Sequence, residues 1–351
     1  LMAAYNTRHI CERPQMTSHG KPRSLVTGGC GFIGSHLVDL LLSEGHDVVV
    51  LDNMSTGRRA NLDHVADNPA LRIVEGSVTD ASTVITAMAD CDFVFHLAAL
   101  ADIVPSIVDP LAYSNANIDG TLVVVDTARC LGVSKLVYAA SSSCYGIPDE
   151  YPTPESATIA PQYPYAFTKW IGEQTVLHWH QIYGLPVVSI RLFNVYGPRS
   201  RTSGTYGAVF GVFLAQKLAG EPMTVVGDGS QTRDFTFVTD VVRAFLAAAK
   251  SDVDGEVLNV GSGGTYSVNR LVEILDGPSC FIPKRPGEPD CTFADTRRIQ
   301  ELLSWAPAVP LEDGVAQMLA NIDYWREAPV WNPETIASAT ADWFEFLGDK
   351  Q

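Results

Sequence analysis

The chain has 351 residues, of which 46% are hydrophobic, and this composition is ample for a folded core, so disorder over most of the length is excluded. Its net charge of −16 at pH 7 leaves no basic stripe, which excludes a nucleic-acid partner. No run approaches the roughly 18 apolar residues of a membrane helix, and the first twenty residues hold no apolar signal segment, so we expect a cytoplasmic protein that does not contact the membrane.

The cysteine and histidine residues give no pattern typical of a metal site. The seven cysteines are scattered and include no CxxC pair, so neither zinc nor a disulfide framework is predicted. His178 and His180 are two residues apart, which on a helix puts their rings on different faces. No metal site is therefore predicted.

The predicted elements alternate between strands and helices over the first half of the chain. Strands are predicted at 24–27, 47–51, 71–74, 93–97, 136–140 and 187–192, and helices at 33–44, 121–130 and 165–183. Continuous apolar strands separated by helices are typical of a parallel sheet that is covered on both faces. The pattern predicts a doubly wound (Rossmann) α/β fold with a smaller C-terminal lobe for the substrate.

A glycine-rich turn, GxxGxxG at residues 28–34, follows the first strand and opens the first helix. Such a turn lets backbone amides at a helix N-terminus bind the pyrophosphate of a dinucleotide. Asp52 ends the second strand, where a carboxylate accepts hydrogen bonds from ribose hydroxyls and repels a 2′-phosphate, so NAD is favoured over NADP. Arg58 and Arg59 leave NADP open, because arginines at this place can bind a 2′-phosphate.

Tyr165 and Lys169 are four residues apart on one predicted helix, so their side chains face the same way. A tyrosine with a pKa of about 10 is a poor base at neutral pH, and a nearby ammonium would lower that pKa by stabilising the phenolate. The serine run at 141–143 follows the fifth strand, at the sheet edge where open α/β sheets bind ligands. A hydroxyl there can hydrogen-bond the reacting oxygen of the substrate.

Taken together, the ordered motifs resemble the extended short-chain dehydrogenase/reductase family, in its nucleotide-sugar epimerase and dehydratase branch. The resemblance covers roughly residues 23–315. Its motifs lie at 28–34, 52–57, 96–99, 117–121, 141–146, 165–169, 191–198, 227–234 and 285–288.

The resemblance implies NAD as the cofactor, a UDP-sugar as the substrate, Ser141, Tyr165 and Lys169 as the catalytic residues, and Tyr165 and Lys169 also in contact with NAD. The other residues implied to bind NAD are Gly28, Gly31, Phe32, Ile33, Gly34, Asp52, Asn53, Ser55, Thr56, Gly57, Ser77, Val78, Leu97, Ala98, Ala99 and Phe193. Those implied to bind the substrate are Ser141, Ser142, Ser143, Tyr165, Asn194, Ala208, Val209, Thr224, Val226, Arg233, Arg285, Glu288 and Thr292.

Two positions depart from the family pattern. Ser77 stands where the family carries an aspartate after glycine on the adenine side, and Ala101 stands where some galactose epimerases carry a lysine. One adenine contact and one phosphate contact are put in doubt by these differences.

The reaction follows from what surrounds the catalytic serine. By the resemblance, dehydratases carry an Asp-Glu pair directly after it and decarboxylases a glutamate at the second position, whereas this chain has Ser142 and Ser143. This favours 4-epimerisation through a transient 4-keto sugar with NAD regenerated. Thr292 falls where related epimerases line the sugar 2-substituent, and a small residue leaves room for an N-acetyl group. The predicted substrates are UDP-GlcNAc/UDP-GalNAc, with UDP-Glc/UDP-Gal also possible.

Several alternatives stay open at this point. The first alternative is a UDP-uronate 4-epimerase, or a decarboxylase or dehydratase of the same family. A dehydrogenase that releases NADH would need an exchangeable cofactor. A non-catalytic NAD-binding protein is disfavoured because the serine, tyrosine and lysine are all present.

The domain organisation and the oligomeric state complete the predictions. Residues 1–20 are expected to be a disordered tail, 21–194 an NAD-binding domain to which 235–261 returns, and 195–234 with 262–351 a nucleotide-sugar-binding lobe. Within that lobe, 195–233 is predicted to hold only short elements and 333–347 a tryptophan-bearing helix. By family analogy, helices near 115–130 and 165–183 would pair two subunits into a homodimer.

Overall fold

The structure is a computed structural model that describes residues 20–200 and 208–348. Its strands are β1 (Arg23–Thr27), β2 (Asp47–Asp52), β3 (Leu71–Glu75), β4 (Phe93–His96), β5 (Lys135–Ser141), β6 (Val187–Leu192), β7 (Val195–Tyr196), β8 (Met223–Val226), β9 (Thr232–Arg233), β10 (Thr236–Phe237), β11 (Glu256–Val260), β12 (Tyr266–Ser267) and β13 (Ser279–Ile282). Its helices are α1 (Phe32–Ser43), α2 (Ala81–Met88), α3 (Ile103–Val108), α4 (Pro110–Ser114), α5 (Gly120–Leu131), α6 (Pro164–Tyr183), α7 (Val209–Ala219), α8 (Val238–Lys250), α9 (Val268–Leu275), α10 (Arg297–Leu303), α11 (Leu311–Ala320), α12 (Pro333–Ala339) and α13 (Ala341–Leu347). Short 3-10 helices lie at Arg59–Val65, Ser142–Tyr145 and Ile322–Trp325, and a π-helical turn at Asn115–Asp119.

Seven strands form the central sheet in the order β11-β6-β5-β4-β1-β2-β3, and every neighbouring pair is parallel. Helices α1 and α8 pack against one face, where Leu37 and Val241 share an apolar cluster. Helices α2, α5 and α6 cover the other face, where Val124 and Val176 share a second cluster. The predicted doubly wound α/β fold is confirmed. The strand order reverses between β1 and β4, which is where such sheets bind ligands.

A second lobe has its own apolar core, built from α7, β8, α9, α11 and the aromatic Trp325. The prediction of only short elements at 195–233 is wrong, because α7 runs for 11 residues and ends at Gly220, whose φ is 72°. Glycine and proline on both sides of this helix obscured it in the sequence.

The single tryptophan-bearing helix predicted at 333–347 is also wrong, because the structure has two helices there. They meet at Thr340, whose φ of −109° and ψ of 8° interrupt the helix. The Thr340 hydroxyl donates to the Ile336 carbonyl at 2.8 Å, and its side chain is buried. Trp343 is buried on α13.

The last strand of the sheet, β11, pairs with β6 after the chain has passed through α7 and β8. Helix α8 begins at Val238, because the two residues before it, Thr236–Phe237, pair as a short strand with Val195–Tyr196. The division into domains stays a prediction, and the tail predicted at 1–20 lies outside the described residues except for Gly20.

Within 20–200 and 208–348, no helix is long and apolar enough to cross a membrane. The same ranges contain no group of three or more histidine, cysteine or acidic side chains placed to hold a metal ion.

Candidate active site

A cleft of about 900 Å³ runs along the carboxyl ends of the parallel strands and is bounded on its far side by the second lobe. The glycine turn after β1 lies at one end, the serine loop after β5 in the middle, and Arg233 and Arg285 towards the other end. A cleft at the point where strand order reverses is the expected ligand site of this fold.

The glycine turn is shaped so tightly that side chains are excluded. Gly28 has a φ of 71°, and a Cβ there would lie 2.8 Å from the Ala98 nitrogen. A Cβ at Gly34 would clash with the Gly28 carbonyl oxygen. Backbone therefore borders the cleft directly where α1 begins, which fits a pyrophosphate bound by amide donors.

Asp52 is held rigidly at the end of β2. Its carboxylate accepts hydrogen bonds from the backbone nitrogens of Cys30 at 3.0 Å and Met54 at 2.9 Å. Burial raises the pKa of this carboxyl group, and the two backbone hydrogen bonds oppose that rise. Gly57 packs against this carboxylate, because a Cβ there would be 2.8 Å from both carboxylate oxygens. Gly57 is not among the residues that line the cleft.

The structure adds a contact at this end of the cleft that sequence reasoning missed. The Arg58 guanidinium lies over the Tyr324 ring, 4.4 Å from its centroid, and the Tyr324 hydroxyl donates to Asn61 at 3.1 Å. Burial lowers the pKa of Arg58. The sequence leaves Arg58 open as a ligand of a 2′-phosphate. In the structure its guanidinium faces an aromatic ring of the C-terminal lobe. No local pattern links residues so far apart in sequence.

Tyr165 is placed by the first turn of α6, which begins at Pro164, a residue suited to the first helical position. The Ser141 side chain lies beside Tyr165 in the cleft. The Ser141 hydroxyl donates to the Ser143 hydroxyl at 3.0 Å and accepts from the Ser143 nitrogen at 3.2 Å. Burial raises the pKa of Tyr165, and the neighbouring Ser141 side chain opposes this rise. The predicted Ser–Tyr pair is therefore assembled inside the cleft.

Lys169 lies one turn further along α6 and is only 4% exposed. Burial lowers its pKa to about 7, with the carboxylate of Glu173 acting in the opposite direction. The ammonium lies 4.3 Å from the centroid of the Tyr138 ring, an arrangement in which the ring face stabilises a cation.

A buried ion pair behind these residues fixes α6 against the sheet. The Arg191 guanidinium donates to both carboxylate oxygens of Glu173, at 2.9 and 2.6 Å, and to the Tyr145 hydroxyl at 2.8 Å. Tyr145 donates to Asn259 at 2.7 Å. The pair thus connects β6, α6, β11 and the serine loop, and breaking it would leave a buried charge unpaired.

The π-helical turn performs a similar task on the cofactor side of the cleft. The Asn117 side chain exchanges two hydrogen bonds with the backbone of Leu100, at 2.8 and 3.0 Å, and donates to Thr168 at 3.0 Å. Such π-turns are frequent at functional sites. Here the turn couples the segment 97–101 to the helix that carries Tyr165.

The far end of the cleft holds two arginines around one carboxylate. Arg233 donates to Glu288 at 2.8 Å, and Arg285 lies 3.8 Å from the other oxygen of that carboxylate. Among the described residues, that second oxygen is buried without a hydrogen-bond partner. Nearby, Thr292 donates to Asn194 at 2.6 Å and accepts from the backbone of Asp234 at 3.0 Å.

With the exception of Gly57, every residue predicted to bind the cofactor or the substrate lines this one cleft. Besides those already placed, they are Gly31, Phe32, Ile33, Asn53, Ser55, Thr56, Ser77, Val78, Leu97, Ala99, Ser142, Phe193, Ala208, Val209, Thr224 and Val226. Aromatic residues that sequence reasoning left without a role also line it: Tyr163, Tyr324, Trp331 and Trp343.

A parallel sheet with a glycine turn after its first strand, and with a serine, tyrosine and lysine at the end of its fifth, defines a dinucleotide-dependent enzyme of the short-chain dehydrogenase/reductase class. Residues 24–261 match the NAD dependent epimerase/dehydratase family. The chain belongs to this family. The predictions of an NAD-dependent epimerase with NAD as its cofactor are thereby confirmed at the level of the family.

Known proteins resemble the chain over most of its length. A UDP-glucose 4-epimerase of Mycolicibacterium smegmatis is 39% identical over 313 residues, which cover 87% of this chain and 98% of that protein. The solved structure of UDP-glucose 4-epimerase with UDP-glucose from Thermotoga maritima has a TM-score of 0.80 at 35% identity, and covers 87% of this chain and 99% of its own. The UDP-N-acetylglucosamine 4-epimerase of Methanobrevibacter ruminantium, in complex with UDP-N-acetylmuramic acid, has a TM-score of 0.80 at 34% identity, covering 86% and 99%.

Proposed function

We propose that this chain is a UDP-sugar 4-epimerase that interconverts UDP-GlcNAc and UDP-GalNAc, UDP-Glc and UDP-Gal, or both pairs. The observation that carries this proposal is the hydroxyl network at the serine loop. The Ser141 hydroxyl donates to the Ser143 hydroxyl, and these two serine side chains act to lower the pKa values of the neighbouring Tyr165 and Tyr163, respectively. Positions 142 and 143, where a dehydratase would carry acids, hold hydroxyl groups and supply no carboxylate for elimination.

The residues of the first lobe fit NAD as the cofactor. The backbone turn at 28–34 would hold the pyrophosphate, and the fixed carboxylate of Asp52 would accept hydrogen bonds from the adenosine ribose. Lys169 would hold the ribose next to the nicotinamide. NAD held there would supply the hydride acceptor, and in its reduced form the hydride donor, for chemistry at sugar carbon 4.

The chain's own residues then handle the proton and the orientation of the sugar. Tyr165 removes the proton of the 4-hydroxyl as a phenolate and gives it back at the end, and Ser141 hydrogen-bonds the same sugar oxygen. Arg233 and Arg285 hold the diphosphate by charge-assisted hydrogen bonds while the keto sugar turns over in the cleft. The oxygen of Glu288 that has no hydrogen-bond partner among the described residues would accept a hydrogen bond from a substrate hydroxyl.

The preference for N-acetylated sugars rests on Thr292. Both hydrogen-bonding capacities of its hydroxyl are used within the protein, by Asn194 and by the backbone of Asp234. The threonine side chain is small, and these two hydrogen bonds hold it against the protein. This leaves space for a substituent on carbon 2 of the sugar.

An NMR time course with no added NAD tests the proposal. UDP-GlcNAc and UDP-Glc are supplied separately, and each is expected to yield its 4-epimer at unchanged mass. The Tyr165→Phe variant is the matched control for non-enzymatic change. Turnover of a UDP-uronate alone, or a product lighter by water or carbon dioxide, would replace the proposal by one of the alternatives.

The homodimer is proposed from an exposed apolar surface on α5 and α6. Phe167, Ile182 and Tyr183 on α6 are exposed, and so are Leu122 on α5 and Leu111 on α4. Exposed apolar groups on neighbouring helices are typical of interaction surfaces, and a two-fold axis would pair this surface with itself.

Replacing Leu122 with glutamate is expected to shift the protein from dimer to monomer, because it would put unpaired charges into the interface. Analytical ultracentrifugation measures the mass against 37.9 kDa for one chain. Leu302→Glu is the matched control, since Leu302 is 40% exposed and Leu122 is 42% exposed, but Leu302 lies on α10. A monomeric parent, or an equal response to both substitutions, would disprove the proposed interface.

A further inference from the structure

The segment after α11 runs along the open side of the cleft, and its aromatic residues face the ligand site at three places. Tyr324 lies on Arg58 at the end next to Asp52. Trp331 lines the part next to α7 and β8, where the Gln216 side chain donates to its carbonyl at 2.7 Å. Trp343, on α13, lies at the end that holds Arg285.

Trp343 makes the most specific of these contacts. Its ring is only 4% exposed, although it belongs to a helix close to the end of the described chain. The indole nitrogen donates to the Pro286 carbonyl at 2.8 Å, and the Arg285 guanidinium lies over the ring, 5.4 Å from its centroid. Trp343 therefore contacts both the Pro286 carbonyl and the Arg285 guanidinium of the same loop.

The same ring reaches towards the catalytic tyrosine. Trp343 and Tyr163 have ring centroids 6.4 Å apart, and Tyr163 stacks on Tyr165 at 6.4 Å with an interplanar angle of 9°. On its other side, α13 packs against α3, which follows the cofactor segment 97–101. The helix is thus supported on both sides of the cleft.

We propose that Trp343 is a positioning residue for substrate binding, which holds Arg285 in the orientation that receives the diphosphate. The inference rests on the proposed function, because it takes the UDP-sugar as the ligand of this end of the cleft. A flexible arginine loses side-chain entropy when it binds a phosphate, and an aromatic ring that fixes it beforehand lowers that loss. Trp343 acts through Arg285 and does not itself exchange a proton with the sugar.

Trp343→Leu is the test substitution, because leucine fills much of the space but removes both the ring face and the indole donor. With NAD-containing enzyme, the dissociation constant of UDP measured by calorimetry is expected to rise about tenfold. KM for the UDP-sugar should rise by a similar factor, while kcat changes less than threefold. The inhibition constant of uridine, which has no phosphate, should stay unchanged.

Two further variants separate positioning from packing. Trp343→Phe keeps a ring over the guanidinium and should recover most of the UDP affinity. Phe346→Ala, on the same helix but 54% exposed, should leave both UDP and uridine binding as in the parent. Combined with Arg285→Ala, Trp343→Leu should cost little more than Arg285→Ala alone, because the two residues act as one unit.

The outcomes distinguish this inference from the proposed function. An unchanged UDP dissociation constant in Trp343→Leu would overturn the inference, whatever sugar the enzyme turns over. Loss of bound NAD and of thermal stability in that variant would also overturn it, because Trp343 would then be a core residue. If UDP binding responds as expected but no UDP-hexose is epimerised by the parent, the inference stands and the proposed reaction fails.

Discussion

Replacing Tyr165 with phenylalanine is expected to lower kcat for epimerisation by about 10³- to 10⁴-fold, because the phenol group proposed to take and return the hydroxyl proton is lost. The substitution keeps the ring, so its stacking on Tyr163 and its edge contact with Tyr113 should persist. Bound NAD, measured by its absorbance after denaturation, should remain at the level of the parent. Initial rates by NMR or a coupled assay measure the change.

The matched control is Tyr163→Phe. Tyr163 is a half-buried tyrosine two residues earlier, whose hydroxyl neighbours Ser143. Removing that hydroxyl takes away one polar contact of the serine loop and should reduce kcat by less than about tenfold. Equal losses in the two variants would contradict the role given to Tyr165 and would indicate a loop that depends on both hydroxyl groups.

The sheet was predictable because its strands are buried on both faces and read as continuous apolar runs. In β5, all residues from Lys135 to Ser141 are buried, and the predicted strand differs from the observed one by a single residue at each end. Helix α7 was missed because the glycine and proline around it are also typical of loops. The break at Thr340 was missed because a threonine hydroxyl that bonds back to its own helix leaves little trace in sequence.

The site was predictable where chemistry needs a residue type at a fixed spacing, as in the pair Tyr165 and Lys169 or the turn at 28–34. The contacts of Arg58 with Tyr324 and of Arg285 with Trp343 depend on how the second lobe packs. Neither follows from local spacing. The homodimer and the cytoplasmic location stay predictions.

Lys169→Met is expected to lower kcat by about 10²-fold or more, because the ammonium that favours the Tyr165 phenolate is lost. Removing a positive charge raises the pKa of the tyrosine. The rate of the variant should therefore continue to rise with pH in a range where the rate of the parent has become constant. Profiles of kcat from pH 6 to pH 10 measure this difference.

Lys169→Met should also change how the free energy of unfolding depends on pH. The direction of this change follows from the burial of Lys169. In the folded chain the pKa of Lys169 is lowered from 10.5 to about 7, so between these values the unfolded chain binds a proton that the folded chain has released. Lys169 should therefore contribute a gain of about 1.4 kcal/mol of unfolding free energy per pH unit across that window, and the methionine variant should lack this contribution. Urea unfolding at pH 7 and pH 9, at equal NAD concentration, measures this difference.

Lys250→Met, at a half-exposed lysine of α8, is the control and should keep the slope of the parent. A slope in Lys169→Met equal to that of the parent would show that burial does not lower the pKa of Lys169 in the folded chain.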